Sequence, residues 1–459
     1  MALNSSLELT LAVPMGLEDI AVTRLPQGLV DAATEISYIL GTGYLTLGIP
    51  LDQPEKEVKV LSDLVEHPPL CLFTASITVG LISVPRSVFD APKELLAYLQ
   101  NGFQVGDQEN NSNSNDLNWQ KALSIVKTST AIPSATNKAS FQNVDQVAEP
   151  STTFRASFDR GTVQHKGVRS QDVAAALGAL TGKAFPGWKV NLTEYDVEVV
   201  GRWVRETKLV FFKGEGTSST STREDRDIDK GEPGSVKRQK TEEQSKEKAM
   251  IQVGVVLPLA LSSCPYRYRP VDGRTSLKIE IAYTLLAMAG PKTGDIVLDV
   301  CAGVGTIPIV GATHFPGSFF AGSEIVPSNV DKAVENAREM KAKVEETKGG
   351  KPSHSQPSLF MGDAKAVCWR SGTVDLIVSD LPWGQRESSH MSNCKLYPKL
   401  VKQVIRLLRV GGRAVLVTGE RKLLQRQLDS VFAKPFLQVV QKREITIGFS
   451  VMVFELRRI

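Results

Sequence analysis

Asp299-Val300-Cys301-Ala302-Gly303-Val304-Gly305 and, later in the chain, Asp380-Leu381-Pro382-Trp383-Gly384 are the two stretches whose reading decides the fold. The first follows the apolar run Ile296-Val297-Leu298 and precedes Ile307, Ile309 and Val310, which predicts a strand, a glycine turn and then an apolar helix. Glycines let the backbone come close to a nucleotide-like ligand, and the helix after the turn offers free N–H groups. The second stretch ends another apolar run, Val374 to Ser379. It sets a carboxylate, a proline-fixed turn and an aromatic ring where an open α/β sheet keeps its site.

Working outward, the pattern from Arg274 onward alternates helix and strand. Ser276 to Met288 reads as a helix, and strands are predicted near 296–300, 319–323, 374–379 and 413–418. Strands separated by helical stretches imply parallel βαβ units and a doubly wound sheet. The closing runs Glu444 to Gly448 and Ser450 to Leu456 predict an antiparallel hairpin at the sheet edge. Upstream, residues 1–104 mix short alternating strands with helical patterns such as Gly16 to Thr23 and Ala91 to Leu99. Residues 105–152 are a polar linker with one short helix at Trp119 to Val126. A second compact unit covers 153–261, with a strand at Phe154 to Phe158, a helix capped by Ser170 and another strand at Glu194 to Val200. Its stretch 214–248 is almost devoid of large apolar residues and reads as a disordered insertion into a hairpin. The catalytic half then covers 262–459.

The bulk numbers bound these readings. At 459 residues the chain exceeds one core, and two or three domains are expected. A net charge of +4 does not announce nucleic-acid binding, so any basic surface must be local. Five scattered cysteines (Cys71, Cys264, Cys301, Cys368, Cys394) without a CxxC pair exclude a disulfide framework and a zinc site, and fit a reducing compartment. The start carries no basic region followed by an apolar core, and no uncharged apolar run reaches the length of a membrane span. The expectation is a soluble, cytoplasmic or nuclear protein without a bound metal.

The chemistry is read from acids and glycines in register. Phe319 to Glu324 is a short strand ending in an acid that can accept from both ribose hydroxyls, and Phe360-Met361-Gly362-Asp363 ends in an acid suited to an adenine amine. Each acid alone reads as a solvated strand end; three in register read as a pocket. A dinucleotide dehydrogenase would carry a third glycine, whereas Gly303-Val304-Gly305 runs on into Thr306-Ile307-Pro308. Thr275 and Ser276, before the first helix, either meet the cofactor's carboxylate or serve as an ordinary helix cap. Cys301, within the turn, reads as a small packing residue of the pocket. Asp380 and a carbonyl of the Leu381–Pro382 turn can accept from a planar exocyclic amine, making its nitrogen more tetrahedral and more nucleophilic. Trp383 can stack on the extruded base. Together these predict S-adenosyl-L-methionine as methyl donor, released as S-adenosyl-L-homocysteine, and a nucleobase nitrogen as acceptor.

These residues resemble the THUMP-domain RNA guanine-N2 methyltransferases, especially the eukaryotic tRNA enzymes of that group. The matching stretches are Val13-Pro14-Met15-Gly16-Leu17-Glu18, Phe154-Arg155 through Asp196-Val197-Glu198-Val199, Asp299 to Pro308, Asp375 to Arg386, and Leu396-Tyr397-Pro398. The resemblance implies an α/β fold, a Rossmann-like class I methyltransferase domain C-terminal to an α+β ferredoxin-like plus THUMP RNA-binding region. It further implies methylation of guanosine N2 in the tRNA acceptor stem, at position 6 or a neighbour, and a small zinc-binding activator subunit that adds a strand to the catalytic sheet. By matching motifs, Asp380, Leu381, Pro382 and Trp383 form the catalytic turn, and Asp299, Gly303, Gly305, Glu324 and Asp363 hold the cofactor. A spliceosomal small nuclear RNA as substrate and a non-catalytic RNA-binding protein are the alternatives. RNA contacts are expected from Arg155, Arg160, Lys166, Arg169, Lys183 and Lys189.

Overall fold

In the computed structural model, residues 6–50, 60, 68–85, 92–101, 122–123, 152–160, 167–205, 209–211, 249–257, 269–273, 276–347, 355–383 and 390–459 are described. The insertion 214–248 and nearly all of the linker 105–152 lie outside them; residues 122–123 are helical, with Ala122 and Leu123 buried.

The N-terminal half runs β1 (Ser6–Ala12), α1 (Glu18–Val22), α2 (Gln27–Ala32), β2 (Glu35–Tyr38), β3 (Tyr44–Pro50), α3 (Pro68–Phe73), β4 (Ser76–Pro85) and α4 (Pro92–Asn101). It continues with β5 (Thr153–Asp159), α5 (Ser170–Ala184), β6 (Lys189–Val190), β7 (Val197–Arg205), β8 (Leu209–Phe211) and β9 (Ala249–Val256). All nine strands form one sheet, in the order β6-β5-β7-β9-β4-β1-β3-β2-β8. The units expected at 1–104 and 153–261 therefore share a sheet, fused where β4 pairs antiparallel with β9. Fusion satisfies ladder groups that two separate sheets would leave bare at their edges. Arg205 and Ala249 face each other across the β7–β9 pair, so the chain between them is one excursion, and its β8 segment crosses to pair with β2. Helix α5 begins at Ser170 itself, and the residue at its cap position is Arg169, whose guanidinium binds Asp172 instead.

The C-terminal half comprises α6 (Ile279–Ala289), β10 (Ile296–Asp299), α7 (Thr306–His314), β11 (Phe319–Glu324), α8 (Pro327–Thr347), β12 (Ser358–Met361), β13 (Val374–Asp380), α9 (His390–Leu407), β14 (Leu408–Thr418), α10 (Arg421–Leu428), β15 (Leu437–Thr446) and β16 (Ser450–Arg458). Its seven-stranded sheet has the order β12-β11-β10-β13-β14-β16-β15. The five strands β10 to β14 are parallel, while β16 runs antiparallel to β14 and β15 antiparallel to β16. The central strands are apolar throughout because helices cover both faces. Helix α8 buries Ala333, Ala337, Met340 and Val344, a stripe three and four residues apart on an otherwise charged helix. Strand order reverses between β11 and β13 on either side of β10, so the crevice opens beyond the carboxyl ends of β10 and β13.

The halves pack through a continuous buried core that runs from Leu9 in β1 to Val453 in β16. Phe73 stacks on Tyr283 of α6 at 6.2 Å, and Arg24 donates to the Ala287 carbonyl at 3.2 Å. A second joint uses the Val13 to Glu18 stretch. The buried Glu18 carboxylate accepts from the N–H groups of Gly16, Gly41 and Gly43 at 2.6–3.1 Å, gathering two loops around one charge. Asp19 takes both arms of Arg443 on β15 at 2.5 and 2.8 Å, and Arg443 also donates to the Gly16 carbonyl. Gly16 has φ +90, and a Cβ there would sit 2.4 Å from the Glu444 carbonyl oxygen. Only glycine permits both that conformation and that approach.

Candidate active site

The glycine turn leaves β10 at Asp299 and enters α7 at Thr306, with Gly303 at φ +53 and Gly305 at φ +83. Gly303 N–H donates to Glu324 Oε2 at 2.9 Å, and Val326 N–H donates to Oε1 at 2.9 Å. Each oxygen keeps a second lone pair for a hydroxyl donor. A Cβ placed on Gly303 meets nothing within 4 Å, so the outer side of the turn is open. Asp363 lies one residue beyond Gly362, whose N–H binds the Glu324 carbonyl at 2.9 Å. Its carboxylate pairs with Lys365 at 3.2 Å on a partly exposed surface. An open glycine cradle with two acceptor-only carboxylates at adjacent strand ends fits a ribose and an amine-bearing purine. The residues present therefore suit an adenosine-containing cofactor.

Asp299 stands beneath this cradle. It is buried, and its Oδ1 accepts from Cys301 N–H at 3.0 Å and from the Ser379 hydroxyl at 2.6 Å. One oxygen thus ties the glycine turn to the residue preceding Asp380. Burial, the largest influence, raises the Asp299 carboxyl to about 7. Burial also pushes the Cys301 thiol well up, reinforced by Asp299 and Glu324, so it stays protonated and packs. Ser276 Oγ closes a local turn with Gly273, at 2.6 Å from its nitrogen, and the cap position of α6 is Lys278. Thr275 lies outside the described residues.

The second turn is built by three elements. Asp380, half-buried, ends β13, and Leu381 N–H continues the ladder onto the Val417 carbonyl at 2.9 Å. The Pro382 carbonyl accepts from Asn393 Nδ2 and from Tyr397 Oη, both at 2.9 Å. Asn393 and Tyr397 stand one turn apart on α9, so both point the same way. Tyr397 Oη also shares a 2.6 Å hydrogen bond with Thr418 at the end of β14, and burial raises its hydroxyl well above the ordinary value. With two donors, the Pro382 carbonyl has both lone pairs engaged. The carbonyl left to accept from a planar amine is that of Leu381, which receives no donor among the described residues. Trp383 is half-buried, meets Phe449 edge-on at 5.1 Å, and its buried Nε1 has no hydrogen-bond partner among the described residues. Phe449 sits at the tip between β15 and β16, the hairpin that also carries Arg443.

Sequence reasoning missed Asn336, Asn393, Ser379 and Phe449. Asn336, buried in α8, binds the Val271 and Val304 carbonyls at 2.9 and 3.1 Å and fastens the segment before α6 to the glycine turn. A lone Asn in a helix interior, unfavourable there on its own, is the signal that marks Asn336 and Asn393. Two of the expected RNA-binding cations are paired within the protein. Arg155 pairs with Glu198 at 2.8 Å and stacks on Tyr195, Arg169 pairs with Asp172, and Lys166 lies outside the described residues. Lys183 and Lys189 are exposed.

The catalytic half is a Rossmann-like class I methyltransferase domain. Its sheet order supports that assignment, and residues 266–444 match the family model described as RMKL-like, methyltransferase domain. The chain is similar to the tRNA (guanine(6)-N(2))-methyltransferase THUMP3 of Bos taurus, at 32% identity over 39% of this chain and 36% of the relative. It is also similar to the U6 snRNA (guanine-N(2))-methyltransferase THUMPD2 of Bos taurus, at 27% identity over 36% of this chain and 30% of that one. The match thus spans about a third of the length of these curated relatives. TrmN from Thermus thermophilus shares the fold, with TM-score 0.57 and 18% identity over 99% of this chain and 100% of that one. The resemblance read from the motifs is to the group in which the THUMP3 relatives stand. Among the described residues no helix is long and apolar enough to cross a membrane.

Proposed function

We propose that this chain transfers a methyl group from S-adenosyl-L-methionine to the exocyclic N2 of a guanosine in the tRNA acceptor stem, at position 6 or a neighbour. The observation that carries the reading is the Asp380-Leu381-Pro382-Trp383 turn, held by Asn393 and Tyr397 at the crevice that the open glycine cradle shares. Glu324 and Asp363 hold the ribose and adenine, with Gly303 and Gly305 giving close backbone approach and Asp299 holding the turn from below. When bound, S-adenosyl-L-methionine supplies the methyl and leaves as S-adenosyl-L-homocysteine. Asp380 and the Leu381 carbonyl accept from the two amine hydrogens, which draws the nitrogen lone pair out of conjugation and aims it. Asp380 receives the proton that the nitrogen sheds. Trp383 stacks on the extruded base, and orientation of the amine contributes the larger part of the acceleration.

The partner in this reading is tRNA together with a small zinc-binding activator subunit that adds a strand to the catalytic sheet, and the setting is cytoplasmic. Similarity to the THUMPD2 proteins supports a second reading, the same chemistry on a spliceosomal small nuclear RNA. Labelled S-adenosyl-L-methionine, unmodified tRNA and small nuclear RNA, each with and without the activator, followed by nucleoside mass spectrometry, tests both. N2-methylguanosine mapped to the acceptor stem is expected. Label only in small nuclear RNA overturns the substrate, and no label in any RNA overturns the reaction. Asp380→Ala should abolish transfer while RNA binding persists.

A further inference from the structure

The structure has a cationic groove that none of the roles above uses. It lies between α10 and the β15–β16 hairpin, with a volume of about 620 Å³. Arg421, Lys422 and Arg426 line it from α10 and Lys442 from β15; Asp429 is its one acid and Met452 part of its floor. Helix α10 turns Leu423, Leu424 and Leu428 into the core, which leaves its charged side chains facing outward. Arg421 meets Glu444 at 3.4 Å, both side chains more than half exposed, and Lys442 donates only to Gln425 at 3.3 Å. Lys422 and Arg426 have no carboxylate partner among the described residues. An exposed pair such as Arg421–Glu444 is weak enough to exchange for a phosphate.

Position decides what the groove takes. Helix α10 starts two residues after Gly419, where a Cβ would lie 3.4 Å from Trp383 Cβ, and the opposite wall is the hairpin whose tip sets Phe449 against Trp383. Both walls of the groove therefore begin beside the aromatic pair at the catalytic turn. A base drawn to Trp383 carries its own phosphate backbone, and the strand must leave over one flank of that turn. We infer that this groove binds the RNA backbone next to the target nucleotide, with Lys422 and Arg426 each contacting a phosphate. At about 1.5 Å per residue, Lys422 and Arg426 stand about 6 Å apart along α10, far enough to meet separate phosphates. The inference rests on the reading of the substrate as RNA. It places a phosphate contact in the catalytic half, apart from the cations of the N-terminal half.

The test uses the full chain and its Lys422→Gln/Arg426→Gln variant, with an unmodified tRNA transcript as probe. Binding is measured by fluorescence anisotropy between about 50 and 200 mM salt, beside methyl transfer and S-adenosyl-L-homocysteine binding. Each lost phosphate contact reduces the slope of log K against log salt by about 0.7 to 0.9, so the double variant should lose about 1.4 to 1.8. KM for RNA should rise several-fold, with kcat and S-adenosyl-L-homocysteine affinity unchanged. An unchanged slope and affinity overturn the groove as an RNA site, whatever the methylation result. So does polyglutamate binding that needs Lys422 and Arg426 while RNA binding does not. A double variant that loses this slope relative to wild type, in a protein that transfers no methyl, supports the groove and overturns the reaction.

Discussion

Removing one hydroxyl tests whether the Pro382 carbonyl is held for catalysis. Tyr397→Phe keeps the buried ring and deletes the oxygen that donates to Pro382 at 2.9 Å and meets Thr418 at 2.6 Å. Each neutral hydrogen bond contributes about 1 kcal/mol net, so the folded state should lose about 2 kcal/mol, or about 4 to 8 °C in Tm for a domain of this size. The part acting on Pro382 is about 1 kcal/mol, which predicts a fall in kcat of about fivefold. KM for S-adenosyl-L-methionine should not move, because Gly303, Glu324 and Asp363 lie at the ends of β10, β11 and β12, and Tyr397 supports the turn after β13. Asn393→Ala alone should act similarly, while the double variant leaves the carbonyl without a donor and should lose more than the sum. Steady-state methyl transfer and thermal denaturation read both effects. A Tyr397→Phe enzyme that loses Tm but keeps its kcat would refute the argument that the fixed carbonyl aims the turn.

Asp299 provides a pH signature. Its folded-state value of about 7 lies above the unfolded carboxyl's, so it favours the fold below about pH 4 and that contribution is lost as pH rises through about 7. Asp299→Asn keeps an oxygen for Cys301 N–H and Ser379 without the proton, and should gain Tm relative to wild type between about pH 4 and 7; parallel melting curves would exclude it. At the inter-domain joint, Arg443→Gln strands Asp19 and should cost about 2 to 3 kcal/mol, below the range for a fully buried pair because the Asp19 side chain is 31% exposed. Asp19→Asn combined with Arg443→Gln should recover part of that loss in a urea titration; strictly additive losses would show that the pair is not coupled.

The local pattern of the sequence determined the catalytic half. Apolar runs flanked by glycine and proline turns fix strands, helices and their alternation, because burial on both faces of a parallel sheet demands continuous hydrophobicity. The positions of Glu324 and Asp380 at strand ends, of Gly303 and Gly305 in the turn after β10, and of Asp363 just past β12 were legible for the same reason, since the carboxyl ends of such strands converge on one crevice. Only the tertiary structure decided what is made by pairing distant segments. The fusion of two N-terminal units through β4 and β9 joins residues more than a hundred positions apart, and no local period records such a partner. Asn393 and Tyr397 became supports of Pro382 because α9 packs over that turn, and Asp19 and Arg443 became a joint because Gly16 admits the β15 backbone at close range. Side-chain identity specifies which hydrogen bonds are available. Packing between elements, which depends on the whole chain's shape, selects the ones that form.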